Sequence, residues 1–303
     1  MTKNPLALIT GAASGLGLET ARGLLRHGCD IILTDIDIAS GRMALAQLAE
    51  QFPAARLEFV ELDLADLESI TRFVDAFKAH HTALDILVNN AGVFPPFARA
   101  TTAQGAELAF GIGFYGHFSL TAQLFPLLQA APQARVVTVS SISHSNGRID
   151  PSDLLQAENY DGNKAYSASK LACLIFAMEL EKRARAHGTS VLSLAAHPGI
   201  ARTKIGQHAD NPATTLRQRA VGAAKNLAMQ WLGQEADQGA LPIIHAASAK
   251  DVTGGTFIGP NGFGQFKGPP ALVQANAKAL ARHDAKRLWQ MAEEFTGQHF
   301  DWD

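Results

Sequence analysis

Short apolar runs bounded by turn-forming residues recur along the chain: LALIT at 6–10, DIILTD at 30–35, RLEFVEL at 56–62, LDILVNN at 84–90, RVVTVSS at 135–141 and SVLSLAAH at 190–197. Each is too short for an independent helix. Most are rich in Val, Ile and Leu, as strands of a parallel sheet covered on both faces must be. Between them lie segments with apolar residues at helical period, such as GLETARGLLRHG and ASGRMALAQLAEQF. Strand and helix in alternation predict an α/β fold: one doubly wound parallel sheet with right-handed crossovers and helices on both faces. No repeat, low-complexity tract or linker divides the 303 residues, so a single domain is expected. A mostly helical insertion on the substrate side is expected at about 200–234. A Gly/Pro/Phe-rich stretch, GGTFIGPNGFGQFKGPP, opens a C-terminal extension at about 254–303, with a terminal helix expected at about 271–295.

A net charge of −2 offers no electrostatic footprint for nucleic acid or an anionic membrane. The two cysteines, Cys29 and Cys173, lie in different apolar segments and read as buried free thiols, which fits a cytoplasmic location. The N-terminal apolar run is too short for a signal peptide, and no stretch approaches the roughly 18 apolar residues of a membrane span. The 11 histidines show no spacing that suggests a metal site, so none is expected.

The first apolar run leads into TGAASGLG, with Gly11, Gly15 and Gly17 at the junction of strand and helix. Glycines there allow a tight turn and close backbone approach to a pyrophosphate, and the following helix offers its N-terminal N–H groups. The second run ends at Asp35, where a carboxylate can accept hydrogen bonds from both adenosine-ribose hydroxyls. The same charge repels a 2′-phosphate, and neither Ser14 nor Ile36 supplies a base for one. NAD is therefore expected over NADP.

Further on, YSASK places Tyr166 and Lys170 at i, i+4, neighbours on one helix face. A phenol ionises near pH 10 and is a poor base at neutral pH. An ammonium within ~4–6 Å favours the ionised form, so this pair is a candidate acid–base unit.

With TGAASGLG, NNAG at 89–92, VSS at 139–141, YSASK and HPG at 197–199, all in order, the chain resembles the short-chain dehydrogenase/reductase family, whose fold is Rossmann-type. The texture of FGIGFYGHFSL, VSSISH and HPGIART is similar to the branch containing retinol dehydrogenases and protochlorophyllide-reductase-like proteins. The resemblance implies that Gly11, Ser14, Gly15, Leu16 and Gly17 cradle the pyrophosphate. It places Asp63 at the adenine amino group with Leu64 beside the ring, and Asn90, Ala91 and Gly92 along the adenosine ribose. Val139, Pro198, Gly199, Ile200 and Thr203 are implied around the nicotinamide half. Tyr166 is implied as acid/base, Lys170 as its partner and a ribose ligand, and Ser141 as the donor to the substrate oxygen.

The family usually carries an asparagine, positioning a relay water, where this chain has Gly113. Gly111, Gly113 and Gly116 each weaken a helix by roughly 1 kcal/mol relative to alanine. The expectations are a local distortion at Gly113 whose freed carbonyl holds the relay water, and close packing of Gly116 against another helix, of this chain or of a second subunit. Val93, Phe94, Ser143, His144 and Tyr160, with Asn159 and the 200–234 insertion, are expected to wall the substrate. His117 and His197 read as structural. A small hydrophobic alcohol or ketone is expected as substrate, and a homodimer or homotetramer built on the long helices flanking the fifth strand. The competing functions are a nucleotide-sensing regulator on the same fold and an NAD-dependent epimerase or dehydratase.

Overall fold

Strands β1 (Leu6–Thr10), β2 (Asp30–Asp35), β3 (Leu57–Glu61), β4 (Ile86–Asn89), β5 (Arg135–Val139), β6 (Leu192–Ala196), β7 (Phe257–Pro260) and β8 (Pro270–Leu272) form one sheet in a computed structural model. It describes residues 4–94, 98–149, 160–201, 233–275, 277 and 282–302. The strand order is β3-β2-β1-β4-β5-β6-β7-β8. Pairing is parallel from β3 through β7, and β8 runs antiparallel to β7. The mostly parallel sheet with helices around it is the expected architecture.

Residues 270–272 form β8, so the first residues of the expected terminal helix are strand. Pairing with β7 at the sheet edge, where Pro270 is tolerated, draws these residues into a strand, and the terminal helix spans Arg282–Thr296.

Helices α1 (Gly15–Arg26), α2 (Ile38–Gln51), α3 (Leu67–His80), α4 (Leu108–Phe110), α5 (His117–Gln129), α6 (Gly162–Ala186), α7 (Ala236–Ser248) and α8 (Arg282–Thr296) cover the sheet. Asp37, Asp66 and Asp161 cap α2, α3 and α6 by accepting N–H groups of the first turn. One core, with Leu24, Ile31, Leu33 and Ile243, lies on the α1 and α7 side. The other, rich in aromatics, lies under α5 and α6. Both cysteines are buried and free. Among the described residues, no helix is long and apolar enough to cross a membrane.

Between α4 and α5 the chain forms a π segment, Gly111–Gly116. Gly116 does approach another backbone closely, but that of the loop between β3 and α3 in its own chain and not a helix: a Cβ there would lie 2.5 Å from the Leu64 carbonyl.

The helix α5 is buried on nearly every side, because the C-terminal segment lies over α5 and α6. Trp289 of α8 meets Phe118 at 5.0 Å, and Phe300 meets Phe125 at 5.1 Å. Trp302 stacks on His187 at 4.8 Å, and the Arg183 guanidinium sits 4.3 Å from the Trp289 ring. This is the face on which pairing with a second copy was expected, and here the chain's own tail occupies it. Trp289→Ala should therefore lower the unfolding free energy by about 3–5 kcal/mol in a urea titration. A loss below about 1 kcal/mol would show that the cover contributes little.

Candidate active site

The strand order reverses direction between β1 and β4, and a crevice opens at the carboxyl ends of strands at such a point. Its edges are tied together. Asn90 Nδ2 donates to the carbonyls of Thr10 at 2.7 Å and Gly11 at 3.1 Å, and the Asn90 and Ala91 N–H groups each donate to Thr10 Oγ1 at 2.9 Å. Gly11 has φ +64° and lies against Ala91, so a side chain there is excluded by conformation and by space. A Cβ at Gly17 would overlap the Gly11 carbonyl. The crevice holds about 450 Å³, within the usual range for a small-molecule site.

One end is built to take an anion. Gly11, Ser14, Gly15, Leu16 and Gly17 line it. Ser14 begins α1 without a side-chain cap bond, and no acidic residue stands in the first turn, so the helix N–H groups and dipole face the crevice unopposed. The Asp35 carboxylate accepts the Ala13 and Asp37 N–H groups, both at 3.1 Å. It thus braces the glycine turn while keeping lone pairs for hydroxyl donors. Capping of the next helix falls to Asp37 instead. Asp63, Leu64, Asn90, Ala91 and Gly92 line the adjoining wall, and Asp63 is held by the Ala65 N–H at 2.8 Å.

The other end carries Tyr166 and Lys170, one turn apart on α6 and both on the crevice wall. Lys170 is buried; its Nζ donates to the Val139 carbonyl at 3.0 Å and lies 5.9 Å from the centre of the Tyr166 ring. Gly92 makes room for this ammonium, since a Cβ there would stand 3.2 Å from Nζ. Val139 and Ser140 complete this wall, and Ser140 Oγ donates to the Lys170 carbonyl at 2.7 Å. Ser141, the next residue, is buried, and its Oγ accepts the Ser143 N–H at 3.2 Å, leaving its own hydrogen for another acceptor. Pro198 lines the crevice, while Gly199 (φ +67°) and Ile200 lie behind it against the Phe266 backbone. Thr203, Asn159 and most of the 200–234 insertion lie outside the described residues.

The expected substrate residues divide. Val93 lines the crevice and Phe94 packs on Tyr166 at 5.2 Å. His144 is buried, with Nδ1 2.5 Å from the Ser141 carbonyl and its ring edge-on to Phe257, so it faces the core and not the crevice. Tyr160 donates its hydroxyl to Glu107 at 3.2 Å and is not among the residues lining the crevice. Leu108 and Ile112, unremarked in the sequence, line the apolar wall; their i, i+4 spacing was the available signal.

The distortion expected at Gly113 is present as the π segment, but its carbonyl is not open to water. It accepts from His117 Nδ1 at 3.0 Å and from Cys173 Sγ at 3.1 Å. Ser169 Oγ donates to the nearby Ala109 carbonyl at 2.8 Å. A Cβ at Gly113 would overlap that hydroxyl. Gly113→Ala should therefore cost about 1–3 kcal/mol of stability by urea titration. Adding Ser169→Ala should make the losses strongly non-additive; simple additivity would contradict the overlap.

Burial holds His117 and His197 down at about 4. Unfolded, each would titrate near 6.5. Between those values the unfolded chain takes up protons that the folded chain refuses. Stability is then full above pH ~6.5 and falls towards pH ~4 by about 1.4 kcal/mol per unit for each group. Urea midpoints that stay constant between pH ~7 and ~5 would contradict this assignment.

The family model described as short chain dehydrogenase matches residues 5–213. Mouse retinol dehydrogenase 14 is 36% identical over 301 residues, covering 96% of this chain and 85% of that protein. Mouse polyprenol dehydrogenase is 33% identical, covering 96% and 84%. The crystal structure of an uncharacterised protein from Mycobacterium paratuberculosis superposes with a TM-score of 0.79 at 37% identity, over 98% of this chain and 95% of that one. The reversed strand order, the glycine turn and the Tyr166–Lys170 wall thus accompany a family match over most of the sheet, and this chain belongs to the short-chain dehydrogenase family, in its retinol dehydrogenase-like branch.

Proposed function

We propose that this oxidoreductase uses NAD(H) to interconvert a hydrophobic alcohol with its ketone or aldehyde. The observation that carries the reading is the placement of Tyr166 and Lys170 on one wall of a crevice whose opposite end is an uncapped, glycine-lined helix N-terminus. The residues present fit a dinucleotide. The glycine turn and α1 would hold its pyrophosphate, Asp35 its adenosine ribose, and Lys170 its second ribose. When bound, the nicotinamide supplies or accepts a hydride at the carbinol carbon.

The remaining chemistry falls to this chain's side chains. The Tyr166 phenolic oxygen takes the hydroxyl proton during oxidation and returns it during reduction. Lys170, anchored on the Val139 carbonyl, keeps further N–H groups for crevice hydroxyls and places positive charge beside the phenol. Ser141 donates its free hydroxyl hydrogen to the substrate oxygen as charge develops there. Val93, Leu108 and Ile112 on the lining, with Phe94 against the Tyr166 ring, favour an apolar substrate. Lys170 is the one cation among the described residues lining the crevice, so nothing there grips a carboxylate or phosphate on the substrate. The relatives named for retinol and polyprenol, both apolar alcohols, support the same class. Asp35 opposes a 2′-phosphate, and Ile36 and Ser14, which line the crevice with it, bring no positive charge, which favours NAD.

Turnover of retinoid, isoprenoid and aryl alcohols and their carbonyls should be followed with NADH and NADPH. The expected result is a preference for NADH, and a loss of about 10²–10⁴ in kcat/KM on Tyr166→Phe with NADH binding retained. Preference for NADPH would refute the charge argument, and full activity of Tyr166→Phe would refute the catalytic one.

A further inference from the structure

The π segment leaves a puzzle of hydrogen-bond bookkeeping between α4 and α6. In a regular helix the Gly113 carbonyl would accept the His117 N–H. Here that N–H turns to the Phe114 carbonyl, which frees Gly113 O deep in the protein. Both of its lone pairs are filled by side chains, His117 Nδ1 and Cys173 Sγ. The other imidazole nitrogen, Nε2, lies 2.8 Å from Thr10 Oγ1.

These contacts settle where the hydrogens are. A carbonyl can only accept, so the His117 nitrogen facing it carries its hydrogen on Nδ1. Thr10 Oγ1 has two lone pairs, and the Asn90 and Ala91 N–H groups use both. Its hydroxyl hydrogen has two acceptors within reach: Nε2 at 2.8 Å and the Val88 carbonyl at 3.3 Å. Val88 O is the longer contact and already shares the Asn90 N–H with Thr10 Oγ1, whereas Nε2 has no other donor in the described contacts. The hydroxyl therefore points to Nε2. A second hydrogen on the ring would meet an oxygen whose lone pairs are spent. Lys170 and the thiol Cys173, both on α6, are the ionisable groups packed nearest; the ammonium adds to the penalty on a second proton.

We propose that His117, locked as the Nδ1–H tautomer, is the positioning residue of this site. It stands in for the side chain missing at Gly113 by tying the π segment to Thr10, and through Thr10 to the exit of β4 and the glycine turn. One imidazole thus spans from the carbonyl under the catalytic helix to the floor of the crevice. The carbonyl of Gly113 is closed to a relay water, and any proton leaving Lys170 departs through the crevice itself.

The test has two arms, and only the second rests on the NAD(H) reading. In the 303-residue chain labelled with ¹⁵N-histidine, long-range ¹H–¹⁵N correlations, assigned through protons of Thr10 and Phe118, report the tautomer from pH ~8 to ~5. The expected signature is hydrogen on Nδ1, a bare Nε2 and no titration in that range. An Nε2–H tautomer or an imidazolium at pH ~6 would overturn the proposal.

The second arm compares NADH affinity by fluorescence in H117N and H117Q, each checked for folding by thermal melting. Asparagine can serve the Gly113 carbonyl but falls short of Thr10, and glutamine can reach Thr10 with its amide oxygen. H117N should lose affinity by about tenfold or more, H117Q by markedly less. Equal losses would overturn the proposal. Failure of the wild-type chain to bind NADH would instead count against the functional reading, leaving the tautomer result to decide the role of His117.

Discussion

Where β1 and β4 part company, the Thr10 hydroxyl holds the molecule's working geometry together. It accepts the two N–H groups that turn the chain out of β4 and meets the His117 ring from the start of α5. Parallel strands that diverge must leave unpaired backbone at their carboxyl ends, and buried unpaired backbone is costly. Asn90 settles the remainder by donating its amide to the Thr10 and Gly11 carbonyls. The crevice is therefore a gap whose edges are bonded to one another, while the N–H groups at the start of α1 are left for a ligand.

A second constraint follows on the far side of the sheet. Three glycines in one short stretch weaken a helix, and here the helix yields as a π segment. Ser169 and Cys173 of α6 serve the carbonyls at Ala109 and Gly113, and they flank Lys170 on the same helix. The distortion and α6 thus fit as one unit, and a side chain at Gly113 would have to displace the Ser169 hydroxyl. Outside this unit, Trp289, Phe300 and Trp302 cover α5 and α6 with aromatic surface from the same chain.

The first six strands were legible because each is an uninterrupted apolar run, and the glycine turn and YSASK because their spacing has a direct physical meaning. The last two strands were not. Phe257–Pro260 and Pro270–Leu272 are short and interrupted by glycine and proline, and they form only because β6 offers an edge to pair with. Tertiary partners likewise decided the finer roles. His144 and Tyr160 sit near the site in sequence, but Phe257 and Glu107, distant in sequence, claim their side chains. Leu108 and Ile112 reach the crevice only through the fold of α4 and the π segment. The tail over α5 and α6 could not be foreseen, since apolar helix faces look the same whether a neighbour or the same chain covers them.

A dinucleotide is expected along the crevice from Asp35 to Lys170, and a crystal structure of the chain grown with NADH tests that directly. The expected density runs from the Asp35 carboxylate across the glycine turn, with the second ribose at Lys170 and the nicotinamide beside Tyr166. Density for the cofactor elsewhere, or a crevice left empty at saturating NADH, would contradict it.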